Sequence, residues 1–209
     1  MRSRLGVIFA ALTAVALLAA TACTGGAASS GTEGRQQNTS GGQSVSGSFN
    51  LLTGFMTDAR RDHALVVLND GRVMSIAGKG KGATQRTPIL QTAEIRDAAD
   101  TWTRTPDLAE RREVFTGHGL DDGRVIVFGG ADNRHEPLRS TEIWDPATNA
   151  WTAGPDMAQN RWKHASVKLN DGRIMVIGGI DLRLFTEAEI FDPAANTFTQ
   201  TAKMSEGRA

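Results

Sequence analysis

The sequence predicts an all-β fold made of three consecutive four-stranded antiparallel units, and three observations carry that prediction. The tripeptide Asp-Gly-Arg occurs three times, at Asp70-Gly71-Arg72, Asp122-Gly123-Arg124 and Asp171-Gly172-Arg173, with spacings of 52 and 49 residues. Each copy lies between an alternating apolar segment and a more continuously apolar one, the pattern of two strands joined by a tight turn. Downstream, each copy then repeats a pair of small residues, a Glu-Ile-x-Asp segment and one large aromatic. Self-similarity at a fixed period dictates architecture before any local propensity does.

The chain has 209 residues, with 23 basic and 23 acidic side chains, four His, one Cys and no Tyr. That balance favours neither nucleic acid nor an anionic membrane surface. Arg2 and Arg4 precede an apolar run from Leu5 to Ala20. The run is shorter than the roughly 20 residues a spanning helix needs, and it ends in small residues, as an export signal does. Residues 1–22 are read as that signal. Losing them removes Arg2 and Arg4 and no acid, leaving 21 bases against 23 acids, a net charge of −2. Leu18-Ala19-Ala20-Thr21-Ala22-Cys23 resembles a bacterial lipobox, with Ala20 where Leu is usual. The resemblance implies a lipid-modified Cys23 as the mature N-terminus, anchoring an exported protein to the cell membrane or the outer membrane surface. The alternative is ordinary cleavage near Ala22, giving a soluble secreted protein with a free thiol. Residues 23–48 are rich in Gly, Ser, Thr and Gln and too poor in apolar side chains to fold. As a flexible tether, the stretch from Thr24 to Gly47 has an r.m.s. span of about 27 Å.

The folded part, 49–209, divides at about 57–107, 108–156 and 157–203, with the start of a further copy at 204. First strands are expected at His63–Leu68, Phe115–Leu120 and His164–Leu169, each followed by an Asn/Asp-Asp-Gly turn whose Gly takes φ > 0. Second strands follow at Val73–Ala77, Val125–Phe128 and Ile174–Ile177. They end at Ala77-Gly78, Gly129-Gly130 and Gly178-Gly179, where backbones crowd and a Cβ would clash. Third strands carry Glu94–Asp97, Glu142–Asp145 and Glu189–Asp192, and fourth strands carry Trp102, Trp151 or Phe198.

Four short strands every fifty residues or so, with paired glycines and a spaced aromatic, resemble the kelch repeat, which implies blades of a β-propeller. The first copy departs most, with Ala77 for a glycine, Ala98 for Pro146 and Pro193, and one residue fewer in its third turn. Phe49–Met56 reads as an N-terminal strand of the kind that closes kelch rings, and Met204–Arg208 repeats Met56–Arg60 and Met157–Arg161. Three blades form an open or partial ring. The expectation is either the N-terminal part of a longer product or a homodimer completing a six-bladed ring.

Strands alternate in direction, so the segment entering each first strand and the loop between strands two and three share one face. Arg60, Arg112, Arg161 and Arg208 recur on that face. The resemblance implies that such arginines can line the central mouth and grip carboxylates. Pairing with Glu94, Glu142 and Glu189 is the stronger reading, because a residue present in every blade serves the blade. Residues that differ between copies are where specificity sits: Lys79, Lys81 and Arg86 in the first loop, Asp132, Arg134 and His135 in the second, Asp181 and Arg183 in the third. His63 and His164 share a position that takes Phe115 in the second copy, which marks packing and not metal ligation. No cofactor and no metal site are read from the sequence.

The functional expectation is a membrane-tethered, extracytoplasmic module binding a protein or a glycan, with no nucleic-acid partner. The alternative is the N-terminal part of a kelch-type carbohydrate-active enzyme, galactose oxidase-like or sialic acid mutarotase-like, whose catalytic residues lie beyond this chain. A copper-radical or sialidase site needs tyrosine, which this chain lacks.

Overall fold

A computed structural model describes residues 54–82 and 87–209. The signal, Cys23, the tether and residues 49–53 of the expected closing strand lie outside the described residues, as does Arg86. Gly54–Met56 form no strand, although the Gly54 N–H donates to Asp100 Oδ2 at 2.7 Å.

Twelve strands form three four-stranded sheets, and the described residues contain no helix. The first sheet holds β1 (Ala64–Val67), β2 (Val73–Lys79), β3 (Ile89–Arg96) and β4 (Trp102–Arg104). The second holds β5 (Thr116–Gly119), β6 (Val125–Phe128), β7 (Thr141–Asp145) and β8 (Ala150–Ala153). The third holds β9 (Ala165–Lys168), β10 (Ile174–Ile177), β11 (Ala188–Asp192) and β12 (Thr197–Gln200). Each sheet is an antiparallel meander in chain order. Strand β1 lies against β5, and β5 against β9, so the sheets stack as successive blades that do not close on one another.

The Asp-Gly-Arg tripeptide builds the first hairpin of each blade. Leu68 N–H donates to Arg72 O, and Gly71 N–H to Leu68 O, with Gly71 at φ 84°. Gly123 and Gly172 repeat this at φ 91° and 85°. The Asp supplies the rest of the turn: Asp70 accepts from the Arg72 N–H at 3.0 Å and from its Nε at 2.7 Å, as Asp122 and Asp171 do from Arg124 and Arg173.

Apolar side chains between sheets form two cores. Val66, Met74, Ile76 and Ile95 of the first blade pack with Phe115, Val125, Val127 and Trp144 of the second. Leu120, Ile126 and Phe128 then meet Met157, Ile174, Val176 and Phe191, with the Phe128 and Phe191 rings edge to face at 5.9 Å. His164 occupies the place of Phe115 and is buried, its Nε2 2.9 Å from Thr116 Oγ1 of the preceding blade.

In the first blade, β2 and β3 run longer than the segments expected from sequence, and their register shifts between Ile76 and Gly78. Ala77 stands there at φ 47°, in the left-handed region its glycine counterparts Gly129 and Gly178 occupy at 51° and 69°. A β-bulge absorbs the alanine.

Candidate functional site

A strap of residues precedes the first strand of each blade and crosses from the blade before. Leu108 and Arg112 N–H groups donate to Gln91 O and Leu90 O of the first blade, and Arg112 O accepts from the Gly78 N–H at 2.9 Å. Arg161 and Arg208 accept from Gly130 and Gly179 in the same way. Glycine is required there: a Cβ on Gly130 would lie 2.6 Å from Glu113 O and 2.7 Å from Phe115 Cβ.

The arginine side chain points forward into its own blade. Arg112 Nη2 meets Glu142 Oε1 at 2.7 Å, and Nη1 donates to Gly129 O at 2.9 Å and to Ser140 O at 3.3 Å. Arg60 pairs with Glu94 at 2.6 Å and Arg161 with Glu189 at 2.7 Å, each also reaching a carbonyl at the end of the second strand. All three side chains are 0% exposed. They present nothing to a ligand at the mouth. The carboxylates in turn cap the strap, Glu142 accepting from the Ala109 and Glu110 N–H groups and Glu94 from those of Thr57 and Asp58. Burial alone would raise the Glu94 carboxyl. The two N–H groups and the Arg60 guanidinium outweigh that and hold it below the ordinary value. Arg208 makes the backbone contacts of the series, but its side chain is exposed and has no ion pair among the described residues.

Bridges Arg61↔Lys79, Glu113↔Ala131 and Trp162↔Ile180 bind each strap to the end of the second strand or the loop just after it, so both lie at one end of the blades. The non-repeating side chains collect there. Between the first two blades, the Glu113 carboxylate, 2% exposed, takes Lys79 Nζ at 2.9 Å and His135 Nδ1 at 2.9 Å. Lys79, which ends β2 and does not lie in the first loop as expected, and His135, in the second loop, are thus joined through a residue the sequence reading missed. Glu113 follows a repeated arginine at a position held by Arg61 and Trp162 in the other blades, and that lack of repetition was the available signal. Asp132 shapes its loop, its Oδ1 accepting from the Arg134 and Glu136 N–H groups. The Arg134 side chain is exposed with no ion pair among the described residues.

The third loop is built differently. Arg183 forks onto Glu187 at 3.1 and 3.3 Å and lies 5.0 Å from the centroid of Phe185. Arg183 and Lys203 together hold the Glu187 carboxyl down to about 2. The Asp181 N–H donates to Arg183 O at 3.2 Å, which turns this loop on itself. The structure therefore brings Lys79, Arg134 and His135 to one region and leaves Asp181 and Arg183 in another.

Comparison with known families bears on the repeat directly: the Kelch motif matches residues 114–158 and 161–205. The chain carries Kelch motif repeats. The matched stretches coincide with the second and third blades, and the first blade repeats their geometry through Arg60, Glu94 and Gly78. Sheets of this kind, bearing kelch repeats, are blades of a β-propeller, a module used for protein interaction. No curated protein matches the chain.

Proposed function

We propose that this chain is an extracytoplasmic, membrane-tethered kelch-repeat binding module whose strap-and-loop face meets a protein or glycan ligand. One observation carries the reading. At the strap-and-loop end, the recurring Arg60, Arg112 and Arg161 are buried against glutamates, whereas the non-recurring Lys81, Arg111, Arg134 and His135 are exposed. Exposed, non-repeating charge on a rigid repeat scaffold is the arrangement of a recognition surface. The tether rests on the sequence alone, on the apolar run ending before Cys23.

The test is retention of extracytoplasmic glycans and envelope proteins on the immobilised full chain. Lys81→Ala and Arg134→Ala, on the loop face, should lower retention. Asp171→Ala, in the turns at the other end, should not. Retention that follows Asp171 and ignores the loop variants would overturn the assignment of the face.

A further inference from the structure

A cavity of about 660 Å³ lies on the loop face between the first two blades, and its wall includes Pro88, Ile89, Arg111, Asn133, Arg134 and His135. That size falls within the range of ligand clefts, about 300–1,000 Å³. No acidic side chain lines it among the described residues. Arg111 spends one donor on Ile89 O at 2.8 Å, and neither Arg111 nor Arg134, both exposed, has a carboxylate partner among the described residues. Two unneutralised guanidiniums on one cavity suit a carboxylate, which a planar fork grips through two parallel hydrogen bonds.

His135 adds an acceptor. Glu113, as a carboxylate, can only accept, so its contact with Nδ1 places a ring hydrogen on that nitrogen, and in the neutral ring Nε2 is then the acceptor. Lys79, at 2.9 Å from Glu113, holds the carboxylate in place. His135 is 57% exposed at its side chain, so Nε2 is open to an incoming group. An acceptor of this kind selects a hydroxyl. Asn133 can donate and accept, and Pro88 offers an apolar patch for a C–H face.

From these groups we infer that the cavity walled by Arg111, Arg134 and His135 binds a carboxylated sugar, the guanidiniums taking the carboxylate and His135 Nε2 a ring hydroxyl. The inference rests on the loop-face reading above and names its ligand class.

Titration of the full chain with trigalacturonate, followed by calorimetry, tests it against three controls: neutral galactotriose, glutarate as a carboxylate without hydroxyls, and pentaglutamate as an acidic peptide. Trigalacturonate should bind at one site, at least tenfold tighter than each control. Arg134→Ala, at an exposed residue with no role in the fold, should weaken binding by about tenfold, the loss expected of one charge-assisted pair. Arg111→Gln should do likewise. His135→Asn, which keeps a residue tolerant of the left-handed φ of 63°, should weaken trigalacturonate and leave glutarate unchanged. Equal binding of glutarate would remove the hydroxyl contact, and equal or tighter binding of pentaglutamate would replace the sugar with a peptide. Unchanged affinity in Arg134→Ala and Arg111→Gln would refute the site. If trigalacturonate fails while loop variants still reduce retention of another ligand, the sugar assignment alone falls; if neither responds, the loop-face reading falls with it.

Discussion

Deleting the Glu142 carboxylate should be among the most damaging single changes in this fold. Glu142→Ala leaves the fully buried Arg112 guanidinium with two carbonyls and only the longer, 3.4 Å contact to the half-exposed Glu110 carboxylate, and it strips the Ala109 and Glu110 N–H groups of their acceptor. Breaking a buried pair from one side costs about 3–5 kcal/mol. The carbonyls at 2.9 and 3.3 Å and the remaining Glu110 carboxylate place this case toward the lower end. With a urea m-value of about 1–3 kcal/mol/M, the midpoint should fall by at least about 1 M. Arg112→Met should cost a similar amount, because it leaves Glu142 buried and charged. The double variant Arg112→Met/Glu142→Leu should cost well under the sum, since no uncompensated charge remains. Equilibrium urea unfolding of the full chain, followed by tryptophan fluorescence, gives the cycle. Additivity to within about 0.5 kcal/mol would refute the reasoning. Asp122→Ala, which breaks an exposed pair in a hairpin turn, is the control and should cost no more than about 1 kcal/mol.

Three further outcomes are expected. Burial, with Arg161 nearby, lowers His164 to about 3, so it is neutral in the fold and its contribution to stability is complete above the unfolded value near 6.5. That contribution is lost as pH falls toward 3; His164→Phe, the residue its equivalent position holds in the second blade, should flatten stability against pH between 6 and 4, and an unchanged slope would assign it to other groups. Gly129→Ala should destabilise strongly, because its Cβ would lie 2.5 Å from Arg161 O, whereas Ala77→Gly should stabilise by up to about 1 kcal/mol by relieving a left-handed alanine; thermal melts that reverse this order would contradict the bulge as the site of strain. Cys23→Ser should move the exported protein from the membrane fraction to the soluble one, and a variant that still pellets with membranes would sink the lipid anchor.

The repeat made the fold legible. Asp-Gly-Arg hairpins, paired glycines and the Glu-Ile-x-Asp strands are local signals, each dictated by a turn, a close backbone approach or a burial pattern that sequence displays directly. The Arg–Glu pairing was legible too, because recurrence in every copy is itself evidence of a structural role. The cluster around Glu113 was not. Its members sit at the end of a strand, in a strap and in a loop, 34 and 22 residues apart along the chain. Nothing in their spacing brings them together; the stacking of two blades does. The extent of β2 and β3 escaped for a related reason, since their pairing continues past the shift between Ile76 and Gly78 to Lys79 and Ile89, beyond the segment where the apolar pattern ends.

The strap has a consequence for how such a chain can be cut and copied. Its arginine belongs by backbone to one blade and by side chain to the next, so the module that folds is out of phase with the module that repeats in sequence. A duplication bounded at the strap delivers a guanidinium already aimed at the carboxylate of the new copy, and a carbonyl already placed for the glycine of the old one. A deletion of one whole period leaves the arginine at each joint between remaining blades with a glutamate ahead and a glycine behind. Blade number can therefore drift over evolutionary time without redesign of any joint, while the loops at the exposed end change independently of the count.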